Sequence, residues 1–147
     1  MNPLQIKANL LQYYNGRSVR QVFQEKTHIN NDEVDRLWNE YIEFITIKII
    51  GCDTGIGSMK YTANTQINLL WHTHVLCSSQ YQEFMYLIKL INPLVDFLHP
   101  SLEMLMSSYK QRAARLENSA EAYRYLLYVQ MLMFRNTQSS AMQNICL

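Results

Sequence analysis

The chain reads as all-α, a single compact bundle of about six to seven helices covering residues 1–147. Three observations point there. Apolar residues recur three and four positions apart along most of the length, the period of a helix with one buried face. Four glycines and three prolines in 147 residues are too few for an all-β chain with a turn roughly every ten residues. The length suits one domain of about 100–200 residues, and a chain of this size hides roughly 70% of its unfolded surface.

Pro3 suits a first turn, where its missing N–H has no helical partner to lose. Leu4, Ala8, Leu11 and Tyr14 share one face of this first helix, and Asn15-Gly16 ends it. Ser18 is placed to cap a short second helix with Val19, Val22 and Phe23 as its apolar face. Asn30, with Glu33 three positions on, resembles a capping box for the third. Val34, Leu37, Trp38, Tyr41, Ile45 and Ile49 then follow at helical spacing as far as Gly51. The β-branched tail Ile45 to Ile50 admits a strand, but the period of three and four runs through it and favours helix.

Residues 51–64 form the one long loop and hold three of the four glycines. The loop lacks GxxxxGK[ST] and GxGxxG and follows a helix, so it reads as a connector rather than a phosphate cradle. A fourth helix starts at Asn64 or Thr65 and runs to about Leu76. Ser78 or Ser79 caps a fifth, which carries Tyr81, Phe84, Met85, Leu87, Ile88 and Ile91 and ends at Asn92-Pro93. Ser101 opens a sixth, with Leu102, Leu105, Met106, Tyr109, Ala113 and Leu116 on one stripe. Asn118-Ser119 reads as a break and a new cap. The seventh helix, to about Arg135, is apolar nearly all round, and the polar tail from about 136 frays. The expected core is Trp38, Tyr41, Ile45, Leu70, Trp71, Phe84, Ile88, Leu105, Tyr109, Leu127 and Phe134.

Composition narrows the function classes. Net charge is +1 and only 17% of residues are charged, which argues against nucleic acid as a partner. Lys110, Arg112, Arg115 and Arg124 are interleaved with Glu103, Glu117 and Glu121, as on ordinary solvated faces. A nucleic-acid accessory role is thus the weakest reading. No apolar run reaches the roughly 18 residues of a membrane helix. Residues 1–15 carry no basic segment followed by an apolar one, so no signal peptide is expected. Cys52, Cys77 and Cys146 are odd in number and contain no CxxC pair, which argues against a disulfide framework and for a reducing cytoplasm or nucleus. No catalytic motif surrounds Cys77, and Glu40 and Glu43 read as helix-surface carboxylates. No catalytic residue is assigned and no cofactor is required.

One segment stands out. Asn68 is followed by Trp71-His72-Thr73-His74 and Leu76, then by Tyr81 and Phe84, then by His99-Pro100. Upstream lies Glu40-Tyr41-Ile42-Glu43-Phe44. This order resembles the glycine-rich domain-containing protein-like family over about residues 34–109. Asn68 stands where that family has an acidic residue and Met85 where it has cysteine, and its glycine before the last histidine segment is replaced around Asn92-Pro93. The resemblance implies an α-helical domain with a binding or regulatory role and no defined enzymatic activity.

His72, His74 and His99 also invite a zinc reading. On a helix, His72 and His74 point about 200° apart, so one ion cannot take both without unwinding. The spacing sets Asn68 and His72 on one stripe, and Ile67, Leu70, Trp71, His74 and Val75 on the other. The favoured arrangement is a structural polar cluster of Asn68, His72, His74, Tyr81 and His99. Within it, His74 faces the core and is satisfied by a carbonyl or a tyrosine hydroxyl. The seventh helix suits either a central position or a surface for a protein partner or a second copy, with Tyr125, Tyr128, Leu132 and Met133 as its contacts. The function expected is therefore a non-enzymatic interaction or assembly module. The alternative is a metal-binding or metal-dependent domain built on the three histidines.

Overall fold

A computed structural model describes residues 2–52, 61–97 and 109–145, with the side chains of the last segment described over 113–135. Among these residues are six helices and no β-strand. They are α1 (Pro3–Tyr13), α2 (Arg17–Thr27), α3 (Asn31–Ile50), α4 (Thr65–Leu76), α5 (Ser78–Ile91) and α6 (Tyr109–Ile145). The fold is all-α. No helix among the described residues is long and apolar enough to cross a membrane.

Helix α1 opens with a reciprocal cap: the Asn2 side chain accepts from the Gln5 N–H, and the Gln5 side chain accepts from the Asn2 N–H. Its buried side is Pro3, Ile6 and Leu10, continued by Tyr14. The expected face of Leu4, Ala8 and Leu11 is turned outward, with Ala8 and Leu11 exposed. Two apolar stripes compete on this helix, and the inward hydrogen bonds of Tyr14 select its rotation. Helix α2 starts behind Gly16 rather than at a Ser18 cap. Gly16 has φ +61, and a Cβ there would stand 2.2 Å from the Trp38 ring, so both backbone and packing demand glycine. Val19 and Phe23 are buried, while Val22 is exposed.

Helix α3 is capped as expected, with Asn30 Oδ1 accepting from the Glu33 N–H at 2.8 Å. It stays helical through its β-branched tail. Every residue from Phe44 to Ile49 is buried, so neighbours surround this helix on all sides. They are α1, α2, α4 and α6. The central helix of the bundle is therefore α3, not the last helix. Thr46 tolerates the interior because its hydroxyl donates to the Ile42 carbonyl at 2.7 Å. At the far end Asn92 Nδ2 donates to the Ile49 carbonyl at 3.3 Å, satisfying one acceptor of the last turn.

Asn64 caps α4 through the Ile67 N–H. Cys77 alone separates α4 from α5, and its N–H donates to the carbonyls of both Thr73 and His74. Neither Ser78 nor Ser79 caps α5; the Ser79 hydroxyl donates to Gln80 Oε1 instead.

The expected break at Asn118-Ser119 does not occur. Helix α6 is continuous from Tyr109 to Ile145. Ser119 turns inward. Its hydroxyl lies 2.9 Å from the Arg115 carbonyl and 3.1 Å from the Thr62 carbonyl, and it accepts from the Thr62 N–H at 2.9 Å. A serine within a helix satisfies its hydroxyl by bonding four residues back, and here it also ties down the chain entering α4. This register buries Arg115 and Ser119 and leaves Ala113 and Leu116 exposed, the reverse of the expected stripe. Of the expected core, Trp38, Tyr41, Ile45, Leu70, Trp71, Phe84 and Ile88 are buried. Leu127 and Phe134 are exposed; on α6 Leu126 is buried, and Ala122 and Tyr123 pack against the core. Leu105 and the Tyr109 side chain lie outside the described residues.

Candidate functional site

The WHxH segment sits in the last turns of α4, and its helical phase turns Trp71 and His74 inward. His74 is fully buried. Its Nδ1 lies 2.9 Å from the Tyr41 hydroxyl and its Nε2 lies 2.9 Å from the Tyr14 hydroxyl. The Tyr14 hydroxyl also donates to the Gln80 carbonyl at 3.1 Å. Each hydroxyl has one proton, so a consistent arrangement follows. Tyr14 donates to Gln80 and accepts from Nε2–H, and Tyr41 donates to Nδ1. The cluster joins the end of α1, α3, α4 and the first turn of α5.

Aromatic rings close it off. Tyr14, Phe84, Tyr81, Tyr41 and Trp38 all have ring centroids within 6.0 Å of the His74 ring. Burial lowers the His74 pKa from 6.5 to about 4, against a smaller upward pull from the Gln80 backbone. Burial raises both tyrosines above their ordinary value, with Glu83 adding to the effect at Tyr14. At neutral pH all three groups are uncharged. Donors and acceptors are matched, and the cluster is shut from solvent. Such an arrangement holds helices together and offers a substrate neither a proton nor a lone pair.

Beside it lies a second buried polar group that the sequence reading passed over. Lys48, fully buried on α3, places Nζ 4.9 Å from the Trp71 ring centroid and 5.3 Å from those of Phe44 and Phe97. Three ring faces around one ammonium stabilise it by cation–π attraction. Trp71 itself donates from Nε1 to the Tyr81 hydroxyl at 3.3 Å.

Among the described residues, two members of the expected polar cluster are seen together. His74 and Tyr81 meet edge to face, but the hydroxyl partners of His74 come from Tyr14 and Tyr41. Asn68 and His72 are half-buried on α4, and His99 lies outside the described residues. Both nitrogens of His74 are engaged, which leaves it no lone pair for a metal. Among the described residues no group of three or more His, Cys, Asp or Glu is placed to hold a metal ion. Cys52 and Cys77 are free thiols.

One exposed apolar surface lies on α6; another lies on α1 and α5, where Tyr13, Tyr86 and Leu90 are exposed. Tyr125 is 55% exposed, Tyr128 57%, Leu132 40% and Phe134 64%. Met131 and Met133 are exposed as well. Successive residues on a helix point 100° apart, so the four from 131 to 134 carry apolar surface to every side. At its base, a cavity of about 520 Å³ opens between Ile47, Ile50 and Tyr61 on one wall and Ala122 and Tyr125 on the other.

No family model, no curated protein and no solved structure matches this chain. Its own geometry therefore carries the functional argument. Sequence reasoning missed Tyr14 and Tyr41 as partners of His74, Lys48 among its rings, and the Ser119–Thr62 clasp. Only Lys48 left a visible trace, as a lone charge inside the apolar run Ile45 to Ile50.

Proposed function

We propose that this chain is a non-enzymatic helical module that binds a protein partner or a second copy of itself, and that α6 is its binding element. The observation that carries the reading is the exposed apolar belt of Tyr125, Tyr128, Met131, Leu132 and Phe134 on a helix anchored at Leu126. Folded monomers rarely leave a contiguous apolar patch of several hundred Å² uncovered. Tyr and Met are also enriched at interfaces, where their side chains adapt to a partner. The closed, neutral His74 cluster supports a structural role for the WHxH segment. The resemblance to a family without a defined enzymatic activity agrees with this. The free thiols of Cys52 and Cys77 fit a reducing compartment.

The test is the native size of the protein in extract from its source. Wild type is expected to elute well above the position of a 17.4 kDa chain. A Met131→Asp/Leu132→Asp variant is expected at the position of a monomer. Wild type and variant co-eluting as monomers in extract, with no self-association of the purified chain at high concentration, would overturn the reading.

A further inference from the structure

We infer that the occupant of this surface is a second copy of the chain, docked antiparallel along α6 about a two-fold axis at Tyr128. The inference rests on the interaction-module reading and names its partner. Helix α6 has 37 residues against 20 for α3, the next longest. At 1.5 Å per residue it measures about 55 Å against about 30 Å, so it overhangs the bundle. Leu126 faces the core, and beyond it Met131, Leu132 and Phe134 are exposed in the overhang.

The stripe on the side of α6 opposite Leu126 is Glu121, Tyr125, Tyr128, Leu132 and Arg135, spaced four, three, four and three, and its first two members also border the cavity beside Ile47, Ile50 and Tyr61. At 100° per residue these five fall within about 80° of arc, centred some 140° from Leu126. All five are exposed. Among the described residues neither Glu121 nor Arg135 makes an ion pair. The stripe is self-complementary when reversed. With Tyr128 on the axis, Tyr125 of one copy meets Leu132 of the other, and Glu121 of each meets Arg135 of the other, twice per dimer. A parallel pairing sets each charge against its own kind. Direction is thus specified by charge, as e and g positions specify it in coiled coils, and the contact is isologous.

The size of the patch sets the strength. At roughly 200 Å² per large side chain, half exposed, Tyr125, Tyr128, Met131, Leu132 and the flanking charges offer about 500 Å² per protomer. A standard interface takes about 800 Å² per partner. The expected dimer is accordingly weak, with a dissociation constant of roughly tens of micromolar.

The experiment is sedimentation velocity on the purified full chain from about 1 to 300 μM, in low salt and in about 0.5 M NaCl. Wild type is expected to pass from monomer to dimer over this range, less completely in high salt. Glu121→Arg alone and Arg135→Glu alone each replace two attractions by two repulsions, and each should weaken the dimer about tenfold. The double variant Glu121→Arg/Arg135→Glu restores both pairs and should return to within about twofold of wild type. That recovery also shows that the single variants failed at the interface rather than in folding. If a single variant does not fold, Tyr128→Glu, which sets two carboxylates on the axis, should abolish the dimer.

A wild type that stays monomeric at every concentration overturns the inference, as does a dimer indifferent to the single reversals or a double variant that does not recover. If the purified chain is monomeric but elutes from source extract in a larger assembly, self-pairing falls and the module reading stands. If it is monomeric in both, both fall.

Discussion

Taking the pH from 7.5 to 4.5 should cost the folded chain about 3 kcal/mol through His74 alone, and His74→Gln should abolish that loss. Burial holds the His74 pKa at about 4 in the folded state against 6.5 in the unfolded chain, where the ring is solvated. Between those two values the unfolded chain binds a proton that the native ring refuses. Each pH unit inside that window removes about 1.4 kcal/mol of stability. The contribution is therefore complete above about pH 6.5 and is lost as the pH falls towards 4; below that, both states carry the proton. Glutamine keeps one donor and one acceptor for the hydroxyls of Tyr14 and Tyr41 but has nothing to titrate. It should lose about 1–2 kcal/mol at neutral pH through poorer hydrogen bonds. The assay is urea unfolding followed by far-UV circular dichroism at half-unit steps of pH. Carboxylates titrate in both proteins, so the difference between the two curves isolates His74. The curves should cross on acidification: wild type is the more stable by about 1–2 kcal/mol at pH 7.5 and the less stable by about as much at pH 4.5. Parallel curves would show that His74 titrates in the fold much as it does in the unfolded chain, and would refute the argument from burial.

Two further substitutions probe the interior. Trp71→Ala removes a fully buried ring that packs edge-on to Phe44 and forms one wall around Lys48, and it should lower the unfolding free energy by about 3–5 kcal/mol. A melting temperature near wild type would contradict this packing. Ser119→Ala leaves the Thr62 N–H without the acceptor it has at 2.9 Å, and it should cost about 1–2 kcal/mol. Amide exchange at Thr62 should rise in that variant, and unchanged protection there would refute the clasp.

The legible parts of this fold were those decided by neighbours in sequence. Asn30 caps its helix as expected because a cap needs only the residue three positions on, and the expected start of α4 at Asn64 or Thr65 is set the same way. The inward phase of Trp38, Tyr41, Leu70 and Trp71 follows from spacing alone. What stayed hidden depends on partners far along the chain. Asn118-Ser119 looks like a break when only its own segment is considered, and Thr62, 57 residues away, is what draws Ser119 inward. The rotation of α1 is set by Tyr14 reaching a histidine 60 residues on. The centrality of α3 was obscured because Lys48 interrupts its apolar run, and the surrounding rings of Phe44, Trp71 and Phe97 help make that side chain compatible with the interior. The apolar girth of the last helix was plain in the sequence. That it stands outside the bundle follows from its length relative to the helices beneath it.

The position of His74 has a consequence for how this chain comes apart. Its two bonds close loops of 60 and 33 residues, and a third link returns to Gln80. Neither Tyr14 nor Tyr41 finds its buried partner until α4 has docked, and an unpaired hydroxyl there disfavours any intermediate that buries it early. Helices α1, α3 and α4 thus belong to one cooperative unit, and fluctuations that release one release all three. The overhanging end of α6 makes none of these bonds among the described residues and is free to open on its own. Slow-exchanging amides should accordingly concentrate in α3 and its two partners, and the protection pattern should divide the chain between its knot and its arm.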